Sequence, residues 1–328
     1  MNERGTEVLK QYNLQVLSTQ KTRGAILCDT NEGKKLLKEY RGSIRRLEFE
    51  YEVLTSLKER GLPYVDRCLR NEEGNLCSKE HGNEKYILKD WYIGRECDVK
   101  NLEEVLLVIR QLATLHKLFR QIPQQESWSL GSVEIPPIVK EYEKHNKELK
   151  RARIYMRNKH KKTEFEFMVM EQYPIFYEQA VMAYEGIKKL TEENEMPPKF
   201  LCHGEFSHHH LYFISEGIAI VEFSKMHLGI QVDDLYHFMR KIMEKNSWSI
   251  DYGQGMLEIY HQELPLQPYE KQYLYYLFLY PEKYWKQINF YYNANKAWIP
   301  FRHIEKLKSI QAGAESKNRF MHWLKEKI

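Results

Sequence analysis

The stretch 201-LCHGEFSHHHLYFISEGIAIVEFSKMHLGIQVDDL-235 decides the fold, because a short apolar run, a polar loop and a second apolar run follow one another closely. Residues 211–214 and 218–223 are rich in β-branched and aromatic side chains. Ser215-Glu216-Gly217 between them has turn chemistry, so the pattern predicts a hairpin. The segments flanking it carry polar side chains to one end: His203, Glu205 and His210 on one side, Glu222 and Ser224 on the other.

This layout resembles the catalytic core of the aminoglycoside phosphotransferase and choline kinase branch of the protein-kinase-like fold. There a loop H-G-D-x-x-x-x-N precedes a strand that delivers I-D-F-D. The matching positions read His203-Gly204-Glu205, then His210, then Val221-Glu222-Phe223-Ser224. The resemblance implies catalytic positions at Glu205 and His203, metal positions at Glu222 and His210, and structural support from Asp234 and Gly229. The chemistry departs from the frame. Glu in place of Asp keeps the charge but adds a methylene of reach, so Glu222 still suits Mg²⁺ only if the site relaxes around it. Neutral imidazole at His210 is a poor ligand for a hard, oxygen-seeking cation, and a second metal site is expected to be lost.

At 328 residues, with 42% hydrophobic and 29% charged side chains, the chain suits a folded protein of two lobes with a substantial core. A net charge of +4 argues neither for nor against nucleic acid. Cys28, Cys68, Cys77, Cys97 and Cys202 show no C-x-x-C spacing, so neither a zinc ribbon nor a disulfide framework is indicated. No apolar run reaches the length of a membrane span, and residence in the cytoplasm is the expectation.

Toward the N-terminus, 6–12 reads as a short helix and 14–19, 25–29 and 35–40 as strands, with a tight turn at Asn31-Glu32-Gly33. In the kinase-like reading Lys38 meets the nucleotide phosphates and the loop 19–25, with its single Gly24, covers them. Residues 43–60 predict a helix with Ser43 as N-cap and Gly61 and Pro63 as stops. It presents Glu50, with Glu48 as the alternative, to Lys38. Two further strand regions, 64–76 and 77–91, lead to a hinge at Trp91, Tyr92 and Ile93 whose backbone would read adenine. This gives an α+β, bilobal protein-kinase-like architecture: an antiparallel N-lobe over 1–91, with its sheet and C-helix, and a mostly helical C-lobe over 92–328. A second amphipathic helix is expected at 102–119. A long helical insertion occupies about 137–190, broken at Tyr173-Pro174. Its basic first half, from Lys144 to Lys162, reads as a solvated face diluted by glutamates, and no nucleic acid is expected.

The C-terminal pieces Tyr280–Trp285, Asn289–Asn293, 296–300 and 304–307, with Leu88–Cys97 at the hinge, resemble the CotS family of spore coat-associated proteins. That resemblance implies a kinase-like fold, expression during sporulation and association with the coat inside the mother cell, with coat proteins as partners. Two functions stay open. One is a degenerate kinase acting in coat assembly, with or without bound nucleotide. The other is an ATP- and Mg²⁺-dependent phosphotransferase acting on a small-molecule or protein hydroxyl. A transition-metal site at His203, His208, His209 and His210 is disfavoured, because neighbouring residues of a loop point in divergent directions. His208 and His209 read as exposed.

Overall fold

The computed structural model describes residues 6–22, 24–79, 84–125, 128, 133, 136–194, 197–294 and 301–327. Two compact units are present, Met1–Glu134 with Lys199–Asp234, and Ile135–Pro198 with Leu235–Ile328. The first brings the N-terminal sheet, the helix at 102–121 and the 201–234 stretch together.

That sheet runs β1 (Val16–Thr22), β2 (Ala25–Thr30), β3 (Gly33–Glu39), β5 (Lys85–Asp90), β4 (Ser78–Lys79) in spatial order, antiparallel throughout. Side chains alternate across it. One face buries Cys28, Leu37, Tyr86 and Leu88 beneath the 3₁₀ turn Thr6–Gln11. The other places Ile87 against Leu47 of α1 (Ile44–Glu59), which Ser43 caps by accepting from the Arg46 amide. Lys38 lies opposite Ile87, and Leu36 opposite Lys89, so both lysines share the α1 face.

Three expectations need correction. The first concerns 64–76, which makes no strand. Its backbone groups are used singly, Leu69 N on Leu88 O, Ile220 N on Tyr64 O and Arg67 O from Asp90 N, in place of a continuous ladder. The second is the loop expected over 19–25: β1 continues to Thr22 and pairs it with Ala25. The third is the break at Pro174. Pro174 sits inside α4 (Glu164–Glu193), and the interruption falls at 159–163, after α3 (Ile138–Asn158). Thr163 starts α4 with a capping box to Glu166, and a buried stripe from Phe165 through Val169, Tyr173, Phe176 and Ala180 to Leu190 runs past the proline. Packing along that length outweighs the one lost hydrogen bond and the clash, about 3 kcal/mol.

The remaining elements of the first unit are α2 (Leu102–Gln121), the ribbon β6 (Arg95–Glu96)–β8 (Leu211–Ile214)–β9 (Gly217–Ile220), and the pair β7 (Phe200–Cys202)–β10 (His227–Gly229). The predicted hairpin is therefore β8–β9, but its second strand stops at Ile220. α5 (Val232–Lys245) follows. The second unit continues with α6 (Ile250–Glu263), α7 (Pro268–Leu279), α8 (Glu282–Asn293), α9 (Phe301–Ala312) and α10 (Ala314–Lys327). The aromatic tail is partly core: Tyr280 stacks on Tyr142 at 3.8 Å, and the Tyr284 hydroxyl donates to Val169 O at 2.8 Å. Tyr292 is exposed. Residues 296–300 and most of the 123–137 connection lie outside the described residues. Among the described residues no helix is long and apolar enough to cross a membrane.

Candidate functional site

The loop after β7 is held from below by one buried carboxylate. Asp234 accepts the His203 amide at 2.6 Å, the Gly204 amide at 2.8 Å and His116 Nε2 at 3.2 Å. Burial pushes the Asp234 carboxyl up, yet the His116 hydrogen bond and the surrounding histidines outweigh it and hold the group down at about 2. Gly204 is required twice over: its φ is +82° and an added Cβ would stand 2.2 Å from Lys225 O. Gly229 faces His227 closely, at 3.0 Å from where a Cβ would sit.

His203 is fully buried, with both ring nitrogens committed. Nδ1 accepts the Glu205 amide at 3.2 Å, so Nε2 carries the proton and donates to Val221 O at 3.1 Å. Burial lowers its pKa to about 4, which keeps the ring neutral. A catalytic role for His203 is thus replaced by a positioning one: it ties the loop bearing Glu205 to the backbone beside Glu222. Glu205 itself is exposed. His210 Nδ1 donates to Glu205 O at 2.9 Å. The other histidines diverge. His209 Nδ1 meets Glu96 at 2.9 Å, whereas His208 is turned inward by the 3₁₀ turn His208–His210 and is buried, not exposed as expected.

Past β9 the chain reverses sharply. Glu222 adopts a left-handed conformation, φ 65° and ψ 52°, which is uncommon for a residue with a Cβ. Two contacts fix it. Its amide donates to Asp66 Oδ2 at 3.0 Å, and its Oε1 meets Lys38 Nζ at 3.3 Å. Burial pushes the Glu222 carboxyl up, but Lys38 and Lys89 outweigh this and hold it below the usual range. Arg46 of α1 donates to Ser224 O at 3.1 Å and to Met226 O, pinning the following turn.

Glu50 does not orient Lys38. It accepts Lys89 Nζ at 2.6 Å, and the same ammonium donates to Asp66 Oδ2 at 3.0 Å, all three side chains being buried. The pairing follows from solvation: a buried ammonium must be matched by carboxylates, whereas half-exposed Lys38 keeps water. Glu48, the alternative partner, pairs with Arg70 at 2.8 Å. Burial pushes Asp66 up to about 6 against the pull of Lys89, while Lys89 itself is held well above its usual value by Asp66 and Glu50 despite burial. Asp66 and Lys89 escaped the motif reading. The signal for Lys89 was its place directly after the apolar run Tyr86-Ile87-Leu88 and before Trp91, in a strand where only a paired charge is tolerated.

At the expected hinge, Trp91 N donates to Lys34 O at 3.0 Å, the Tyr92 hydroxyl reaches Pro63 O and Val65 O, and Ile93 is 61% exposed. Gly24 has φ +77° with open space where a Cβ would stand. Lys38 thus pairs with Glu222, and His210 holds the backbone of Glu205; by its chemistry a half-exposed ammonium suits phosphate and a carboxylate suits a divalent cation. Among the described residues no group of three or more His, Cys, Asp and Glu is placed to hold a metal ion. A cation at Glu222 would therefore complete its shell with water and phosphate oxygens, as Mg²⁺ commonly does.

The chain matches the family model described as "Spore coat putative kinase YutH" over residues 6–324. No curated protein is significantly similar in sequence. Among solved structures it resembles an aminoglycoside phosphotransferase from Alicyclobacillus acidocaldarius, with TM-score 0.86 and 13% identity over 100% of this chain and 97% of that one. Spectinomycin phosphotransferase APH(9)-Ia, solved with ADP and spectinomycin, gives TM-score 0.65 and 13% identity over 95% of each chain. Amicoumacin kinase hAmiN, solved with AMP-PNP, Ca²⁺ and Ami, gives 0.63 and 13% over 98% and 97%. These likenesses confirm the kinase-like α+β fold with its antiparallel sheet and mostly helical C-terminal part. The family model, spanning nearly the whole length, establishes that the chain belongs to the YutH family of spore coat kinase-like proteins.

Proposed function

We propose that this protein is a nucleotide-binding pseudokinase of the spore coat, acting in coat assembly inside the mother cell and contacting other coat proteins. One observation carries the reading. At the position where the related catalytic loop holds its second metal through an amide, His210 stands with Nδ1 committed to Glu205 O, and Glu222 is left as the metal-binding carboxylate. Phosphoryl transfer relies on positioning and charge neutralisation by metal, and a site with one cation provides little of either. Nucleotide binding is less demanding. Lys38 and one cation at Glu222 suffice for the phosphates, and structural neighbours have been solved with ADP and with AMP-PNP.

Calorimetry with ATP, with and without Mg²⁺, run beside a phosphate-release assay, tests the proposal. Binding that weakens at least tenfold in Lys38→Ala, with no turnover, is expected. The second reading, an active phosphotransferase, draws on exposed Glu205 in a loop held firmly by Asp234. Turnover of ATP that disappears in both Glu205→Gln and Glu222→Ala would establish it and overturn the first.

A further inference from the structure

The second unit contains a cavity of about 440 Å³, lined by none of Lys38, Glu205, His210 and Glu222. That volume is in the range of small-molecule sites. Arg240 and Glu244 of α5, Trp248 just beyond it, Glu282 and Lys283 of α8 and Lys317 of α10 form its charged and aromatic wall. Three cations and two carboxylates leave one positive charge in excess.

The ion pairs show where that excess lies. Arg240 Nη1 meets Glu244 at 2.8 Å and its Nε meets Glu282 at 3.3 Å, while Lys283 reaches Glu244 at 3.5 Å. Glu282 also accepts from the Tyr236 hydroxyl at 3.0 Å. Both carboxylates are thus shared among these partners. The Lys317 ammonium makes no ion pair or side-chain hydrogen bond among the described residues; it stands 5.4 Å from the centre of the Trp248 ring. Burial pushes Lys317 down to about 8, and the more distant carboxylates of Glu244 and Glu282 offset this only in part.

The backbone at the wall points the same way. Ser247 and Trp248, with φ 51° and 55°, are both left-handed at the end of α5, a place where glycine is the usual residue. The Trp248 amide closes the helix on Met243 O at 2.9 Å, and its ring packs on Phe278 and Phe320 at 6.3 and 5.9 Å. A bulky side chain kept in that conformation sets an aromatic surface beside an ammonium that makes no ion pair.

We propose that this cavity binds a small planar organic anion, a carboxylate or phosphate ester on a flat apolar body, with Lys317 taking the charge and Trp248 the apolar face. The site is independent of the nucleotide reading above. The test titrates the full chain with benzoate and with phenyl phosphate, and with neutral benzyl alcohol as control, by calorimetry. Saturable binding of at least one anion at one site per chain is expected, tenfold or more tighter than the alcohol, and the better anion identifies the head group. Lys317→Met should weaken that anion at least tenfold, Lys317→Arg should retain it, and neither should change ATP affinity. Absence of anion binding, equal binding of the alcohol, or unchanged affinity in Lys317→Met would overturn the assignment. The wild-type comparison decides by itself if Lys317→Met fails to fold.

Discussion

The carboxylate of Glu50 and the ammonium of Lys89 meet at 2.6 Å in the interior of the first unit, while Lys38, on the neighbouring strand and the same face, turns to Glu222 at 3.3 Å. The buried pair and the half-exposed pair carry different energies. Lys89→Met leaves Glu50 and Asp66 buried without their cation and should cost about 3–5 kcal/mol. Lys38→Met removes a pair whose lysine is 43% exposed, and should cost under about 1 kcal/mol. Urea unfolding midpoints of the two variants check the order; equal losses would refute it.

Glu222 provides a backbone test. At φ 65° a residue with a Cβ is strained and glycine is not. Glu222→Gly should therefore be more stable than Glu222→Ala by about 1 kcal/mol, since both lose the Lys38 contact and only one keeps the strain. Differential scanning calorimetry of the two variants measures this directly.

The loop's support predicts a response to acid. Asp234 is held at about 2 in the folded chain, below its unfolded value of about 3.9. The unfolded state then binds the proton more readily. The carboxylate's contribution, about 2–3 kcal/mol, is present above the unfolded value and is lost as the pH falls through the folded one. Asp234→Asn should lower stability at neutral pH and flatten the acid limb of the stability profile. A variant whose acid limb parallels the wild type would contradict this.

Gly204→Ala combines a φ of +82° with a Cβ placed 2.2 Å from Lys225 O. Strain and overpacking together should cost about 3 kcal/mol. Thermal unfolding tests it, with Gly24→Ala as control: that position shares the left-handed backbone but has open space around it, so its loss should be smaller.

Thr163→Ala should cost about 1 kcal/mol by opening the capping box that starts α4. Pro174→Ala should not destabilise the chain, because alanine restores the missing hydrogen bond and removes the clash within a helix that already runs through this position. Denaturant titration of both variants separates this account from a break at the proline.

What the sequence by itself determined is local. Ser43 as cap, Gly61 as stop, the apolar run Tyr86 to Leu88 and the turn at Ser215 to Gly217 each act through neighbours a few residues away, so α1, most of the sheet and the hairpin could be read directly. The frame His203-Gly204-Glu205 to Glu222 was legible because its spacing is set by one loop and one hairpin. Tertiary structure alone decided the pairings. Lys38 and Glu222 are 184 positions apart, and Glu50 faced two lysines on one sheet face. Which lysine it took depended on which one lost its water, and desolvation is a property of the packed chain. The same holds for Lys317, which makes no ion pair because the carboxylates of α5 and α8 pair with Arg240 and Lys283, and for Pro174, tolerated because the stripe on both sides of it is buried.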